Sequence, residues 1–252
     1  MARYKLTLAY DGSNFYGSQR QANKRTVQGE LEKALTKLGW TGRSILISGR
    51  TDTGVHATGQ VASADLGWSH TDSELLRALN SSLPTDVSVW SVQVVDAKFH
   101  PRFDALSRTY QYRLFSQPLR NPIRERFAWR VWPAITGDAL ADAAKQLIGM
   151  HDFSAFGSPT TPKGTTVRTV TKAEWTQTSD DEWRFEVQAD AFLYRMVRRM
   201  VFLQVAVAQG KVPVDAVARS LAEQPPAKSR SGLPSGLAPA HGLTLVKVEY
   251  RE

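Results

Sequence analysis

The run Ile45-Leu46-Ile47-Ser48-Gly49-Arg50-Thr51-Asp52-Thr53-Gly54-Val55-His56-Ala57 organises the first half of the chain. Three apolar residues read as a short strand, and Gly49 and Gly54 bound the loop that follows. Upstream, residues 3–10 alternate, with Tyr4, Leu6, Leu8 and Tyr10 on one side, which predicts a strand. Thr26 is placed to N-cap a helix whose Val27, Leu31, Leu35 and Leu38 share a face. Downstream, Gln60–Leu66 reads as a strand. Thr71-Asp72-Ser73-Glu74 is a capping box ahead of Leu75, Leu76 and Leu79, and that helix must stop before Pro84. Val87–Val95 is a further strand. The order is β-α-β-β-α-β.

The second half repeats the order with one added helix. Arg108–Phe115 reads as a strand, and Thr136–Ile148 as a helix ending at Gly149. Val167–Gln177 and Trp183–Gln188 are two strands joined by the acidic turn Ser179-Asp180-Asp181. Asp190 is expected to cap a long helix to about Gln209. Pro213–Ala222 reads as another helix and Leu243–Tyr250 as the last strand. The expected fold is α+β: two ferredoxin-like or RRM-like halves, residues 1–105 and 106–252, with sheets that could join. Two polar loops, Gly157–Thr165 and Glu223–His241, are rich in Pro, Gly and Ser and read as mobile and functional.

Composition narrows the chemistry. The 252 residues include no Cys, so a disulfide framework, a thiol nucleophile and a Cys-type zinc site are excluded. The five His lie far apart in sequence, and no apolar run is long enough to span a membrane. The chain runs straight into an alternating strand, which suggests a cytoplasmic protein. Basic residues outnumber acidic ones by 32 to 24, a net charge of +8. Residues 106–252 hold 20 of the 32, and 14 of those are Arg. Arg forks match phosphate geometry, so the excess favours a nucleic-acid partner.

Three places carry candidate chemistry. Asp52 is the sole carboxylate between Gly39 and Ala64, flanked by Arg50 and His56 on a glycine-bounded loop. Such an Asp would stay ionised and point outward, although Asp is also common in turns that bond only local backbone. The second place is residues 190–209, where Arg195, Arg198 and Arg199 lie opposite Leu193, Met196, Val197 and Met200. A mostly buried helix with only Arg on one face calls for an anion, unless that face is simply solvated. The third is Ser107–Arg113, where Arg108, Tyr110 and Tyr112 alternate onto one face. Rings interleaved with Arg suit base stacking and phosphate contact, while core packing is the plainer use of strand aromatics.

The chain resembles the tRNA pseudouridine synthase A family over nearly its full length. Gly49–Ala57 is similar to that family's catalytic-aspartate signature. Matches in the same order are Tyr10-Asp11-Gly12, Tyr16-Gly17, Gln19-Arg20, Val27-Gln28, Leu83-Pro84, Phe99-His100-Pro101-Arg102-Phe103, Arg108-Thr109-Tyr110, His151-Asp152-Phe153, Ala191-Phe192-Leu193, Met196-Val197-Arg198 and Gly242-Leu243. Ser18 stands where the family commonly has Trp, and Phe202 where it commonly has Gly. The resemblance implies isomerisation of uridine to pseudouridine at tRNA nucleotides 38, 39 and 40, without cofactor or metal. It implies Asp52 as nucleophile or base, Arg198 as its partner, and Tyr110 stacked on the uracil with a hydroxyl that could serve proton transfer at C5. Arg50 would assist nucleotide flipping, and Leu193 would line the substrate site. Arg20, Arg102, Arg120, Arg124 and Arg126 would be phosphate contacts. The active site would be a cleft between the halves, and the protein a homodimer.

Other classes make different demands. A purely RNA-binding protein with two RRM-like halves would show an RNP aromatic pattern, which is missing from the central strands. A glycosidase would normally bring two carboxylates to the site, and the Asp52 loop offers one. A synthase for another RNA site is disfavoured by the full-length match.

Overall fold

The computed structural model describes residues 1–161, 164–222 and 236–251, so most of the second polar loop, residues 223–235, lies outside the described residues. The chain is a mixed α+β protein that divides into two compact units, Met1–Leu106 with Thr244–Glu252, and Ser107–Leu243. Among the described residues, no helix is long and apolar enough to cross a membrane.

In the first unit the elements follow the predicted order: β1 (Ala2–Tyr10), α1 (Val27–Lys37), β2 (Leu46–Ile47), β3 (His56–Leu66), α2 (Asp72–Ser82) and β4 (Val87–Val95). Strand β1 lies between β4 and β3, antiparallel to both, and β2 pairs antiparallel with the far side of β3. Local chemistry explains the helix starts. The Thr26 side chain accepts from the Gly29 N–H, and Thr71 and Glu74 form a reciprocal capping box. The alternation in β1 sends Tyr4, Leu6 and Leu8 into one core with Leu31, Leu35, Leu75, Leu79 and Val89. Each fully buried Leu in such a core is worth about 1.5–3 kcal/mol.

The last strand, β10 (Leu243–Glu249), was expected to close the second half. It pairs in parallel with β3, Thr244 opposite His56 and Leu245 opposite Ala57. A Cβ at Gly59 would fall 2.2 Å from the Val246 carbonyl oxygen, so this approach requires glycine there.

The second unit contains β5 (Ser107–Ser116), β6 (Trp129–Val131), α3 (Gly137–Lys145), β7 (Gly149–Asp152), β8 (Val167–Ser179), β9 (Glu182–Ala189), α4 (Met196–Ala208) and α5 (Ala216–Ala222). Strands β5, β9, β8 and β7 pair in that order, all antiparallel, and β6 pairs in parallel with β5. Tyr112, Leu114, Phe115, Leu140, Phe185, Val187 and Met200 are fully buried. Trp175 stacks on Phe185 and donates its indole N–H to Gln204 Oε1 at 2.8 Å, which satisfies a buried amide.

One expectation fails here. Asp190 does not begin the long helix. Its Oδ1 accepts from the backbone N–H groups of Ala191 and Thr169, which ties it to the β8 edge. Residues 191–195 are non-helical, and α4 starts at Met196 behind Arg195, whose φ of 61° is left-handed. The capping propensity of Asp190 is used to turn the chain out of β9 instead.

Candidate active site

Asp52 sits half-buried on a loop braced from three directions. The Thr51 N–H donates to Ser18 Oγ at 2.9 Å, and the Ser18 N–H returns a bond to the Thr51 carbonyl at 3.1 Å. The Tyr10 hydroxyl and Thr51 Oγ1 are 2.9 Å apart. Gln60, fully buried, donates from Nε2 to the Gly49 carbonyl at 2.9 Å while its Oε1 accepts from Ser48 Oγ at 2.8 Å. Burial raises the Tyr10 pKa above its ordinary value, so the hydroxyl remains a neutral donor or acceptor in this network.

Glycines allow the bracing segments to approach. A Cβ on Gly12 would lie 2.0 Å from the Val55 carbonyl oxygen, and one on Gly17 would lie 2.8 Å from that of Thr51. Gly17 also has φ +87°, a conformation that favours glycine. The Gly12 N–H donates to His56 Nδ1 at 3.0 Å, and Asp11 Oδ1 lies 3.2 Å from the same nitrogen. Two segments separated by some thirty residues, 10–18 and 48–56, therefore meet around the Asp52 loop. Arg50 projects from it exposed.

The remaining expected groups belong to the second unit. Tyr110 is buried on β5 opposite Val187, and its ring meets Phe192 edge-on with centroids 5.1 Å apart. Leu193 is buried, and Gly157 packs so closely that a Cβ there would fall 2.6 Å from Leu193 Cβ. Arg198 lies in the first turn of α4, half-buried, and donates from Nε to the Ala238 carbonyl at 2.7 Å. The Ala238 N–H returns a bond to the Arg198 carbonyl. Tyr112, beside Tyr110 in sequence, is fully buried and donates to the Pro239 carbonyl at 2.8 Å.

The arginines proposed as phosphate contacts differ in their engagements. Arg20 pairs with Glu32 at 2.8 Å and also donates to the Arg43 carbonyl. Arg120 pairs with Glu125, and Arg124 with both Asp181 and Glu182 while lying over the Phe115 ring. Arg102 and Arg126 lie over Phe103 and Phe127. Among the described residues, no group of three or more His, Asp or Glu could hold a metal ion. Sequence reasoning overlooked Ser18, Tyr10 and Gln60 as supports of the Asp52 loop, and Phe192 as the partner of Tyr110. Gln60 shares β3 with Thr58, Ser63 and Asp65, so its residue type alone gave no signal of its role.

A family model described as tRNA pseudouridine synthase matches residues 7–104 and 143–251. The chain belongs to the tRNA pseudouridine synthase family. The matched segments include Arg50, Asp52, Leu193 and Arg198, whereas Tyr110 falls between them. Three relatives described as tRNA pseudouridine synthase A extend the match to almost the whole chain. The one from Limosilactobacillus fermentum is 40% identical over 254 residues, covering 99% of this chain and 96% of the relative. That from Maridesulfovibrio salexigens is 40% identical, covering 100% and 92%. That from Listeria monocytogenes is 38% identical, covering 99% and 100%. Ser18 and Phe202, expected from the resemblance to depart from the family pattern, both have structural contacts. Ser18 is a working part of the Asp52 brace. Phe202 stacks near Trp129 and fills the space beside Gly236, where a Cβ would fall 2.0 Å from its ring.

Proposed function

We propose that this protein isomerises uridine to pseudouridine at nucleotides 38, 39 and 40 of the tRNA anticodon stem-loop, with Asp52 as the catalytic carboxylate. The observation that carries the reading is the braced Asp52 loop inside a chain of this family. A buried polar network and two close glycine contacts hold one carboxylate at a fixed place, as a nucleophile or base requires. The reaction breaks the bond from the sugar to N1, turns the uracil and closes a bond to C5. Atoms entering equal atoms leaving, so the chemistry needs a positioned carboxylate and proton transfers.

The roles of the other residues follow the family likeness. Arg50, exposed beside Asp52, takes the place of the extruded nucleotide. Tyr110 packs on the uracil, Leu193 lines its site, and Arg198 pairs with Asp52. A cation in the first turn of α4 faces the positive end of the helix dipole, which favours an anionic partner for it. Arg20, Arg102, Arg120, Arg124 and Arg126 serve the phosphates. The strand order β4-β1-β3-β2 in the first unit supports the ferredoxin-like description of that half. A cytoplasmic homodimer is part of the same reading, on the resemblance alone.

The test is direct. Purified protein is incubated with an unmodified tRNA transcript, and pseudouridine is mapped chemically, with Asp52→Ala alongside. Pseudouridine at the three positions, lost in the variant, is the expected result. No product from the wild-type chain, or full product from the variant, overturns the reading.

A further inference from the structure

A groove of about 740 Å³ runs over α1 in the first unit. Six cationic side chains line it against two carboxylates, Glu30 and Glu32. Helical spacing explains one wall: Gly29, Lys33 and Lys37 fall at four-residue steps along one face of α1, and Trp40 lies just beyond its end. Arg20 and Arg43 form the other wall, where the Arg20 guanidinium donates to the Arg43 carbonyl at 3.1 Å.

The carboxylates are already engaged. Glu32 accepts from Arg20, Gln28 and the Ile45 N–H, and Glu30 lies 3.1 Å from Lys33 and 3.6 Å from Arg25. Arg25 is also held bidentate by Asp86 at 2.7 Å. Among the described residues, three of the cations have no carboxylate partner. Lys24 rests over the exposed Tyr16 ring at 4.3 Å, and Lys37 and Arg43 take part in no ion pair among the described residues. A monomer gains nothing from concentrating like charges in one concave surface, whereas a polyanion entering it releases counterions.

The groove also connects to the catalytic loop. Arg20 lies two residues beyond Ser18, whose Oγ holds the Thr51 N–H next to Asp52. From these observations we infer that the α1 groove is an RNA-backbone subsite, in which Lys24, Lys37 and Arg43 contact phosphates of the tRNA flanking the reacting uridine. The inference rests on the tRNA reading above and adds a binding surface to it.

The experiment compares wild-type protein with a Lys24→Gln, Lys37→Gln, Arg43→Gln triple variant, and with a control triple variant at Lys98, Lys145 and Lys247, each to Gln. Affinity for an unmodified tRNA transcript is measured across a potassium chloride series. Turnover is measured in parallel as KM and kcat. Each phosphate contact contributes roughly 0.7–0.9 to the slope of log affinity against log salt. The groove variant is expected to lose about 2 from that slope and to raise KM at least tenfold, with kcat changed less than twofold and the control close to wild type. An unchanged slope and KM in the groove variant overturns the inference, as does an equal loss in the control. If wild-type protein forms pseudouridine in either case, the functional reading stands; if it forms none, that reading falls independently of the groove.

Discussion

The Asp52 loop and the start of α4 place their key residues by opposite means. The Asp52 loop is nearly contiguous in sequence and is held by buried polar groups of β1, β3 and the segment that carries Ser18. Arg198 depends on a chain that leaves β9, passes Arg195 in a left-handed conformation and only then becomes helical. Its side chain is fixed by a carbonyl forty residues further on. A signature in one stretch therefore advertises the first arrangement, whereas tertiary contacts create the second.

The largest expected effect tests whether the braced loop is catalytic. Asp52→Asn keeps the size of the side chain and removes its charge, so pseudouridine formation should fall by at least about 10³-fold, equivalent to about 4 kcal/mol of transition-state stabilisation. Thermal melting should stay within about a degree of wild type, because the brace is built from Thr51, Ser18, Tyr10 and Gln60. A variant that retains activity would make the loop merely structural.

Next in size is the approach of the two segments that form the brace. Gly12→Ala places a methyl group against the Val55 backbone, which cannot rotate away. Overpacking of this kind costs typically 1–3 kcal/mol. Urea denaturation should show that loss together with reduced activity, because relief of the clash shifts Val55 and the adjoining Asp52 loop. On the other side of the comparison, Arg198→Lys preserves charge but loses the planar Nε donor to Ala238. Here kcat should fall about 10- to 100-fold with melting nearly unchanged, which a single-turnover assay would resolve.

These contrasts explain what was legible. Strand β1, the Thr26 cap and the Thr71–Glu74 capping box were readable because the interactions that make them lie within a few residues. The Asp52 loop was readable as a place, but its support was not, since Ser18 and Gln60 reach it from different segments. The start of α4 was misread because Asp190 has the chemistry of a helix cap and spends it on Thr169 of a neighbouring strand. Strands β6 and β7 have three and four residues, too few to show alternation. The pairing of β10 with β3 leaves no local trace at all, since any apolar alternating strand would read the same.

A smaller effect separates buried from exposed polar support. Tyr10→Phe deletes the hydroxyl that meets Thr51 inside the brace and should cost about 1–2 kcal/mol by urea titration, since a buried partner is left unpaired. The Asp181 pair with Arg124 in the second unit is partly exposed, so Asp181→Asn should cost under about 1 kcal/mol at pH 7. Its hydrogen bond from Arg124 lowers the Asp181 pKa from the ordinary value of 3.8. A carboxylate with a depressed folded pKa contributes its full stability above the unfolded value and loses it as pH falls through the folded one. The gap between wild type and Asp181→Asn should therefore be present at pH 7 and close as the solution is acidified from the ordinary carboxylate value down through the depressed folded one. The cost of Tyr10→Phe should persist across the same interval, because the Tyr10 hydroxyl is neutral throughout. Parallel urea titrations at the two ends of that interval decide it: an Asp181 gap that survived acidification would show that the side chain acts through packing and neutral hydrogen bonds, as the Asp52 brace does, rather than through its charge.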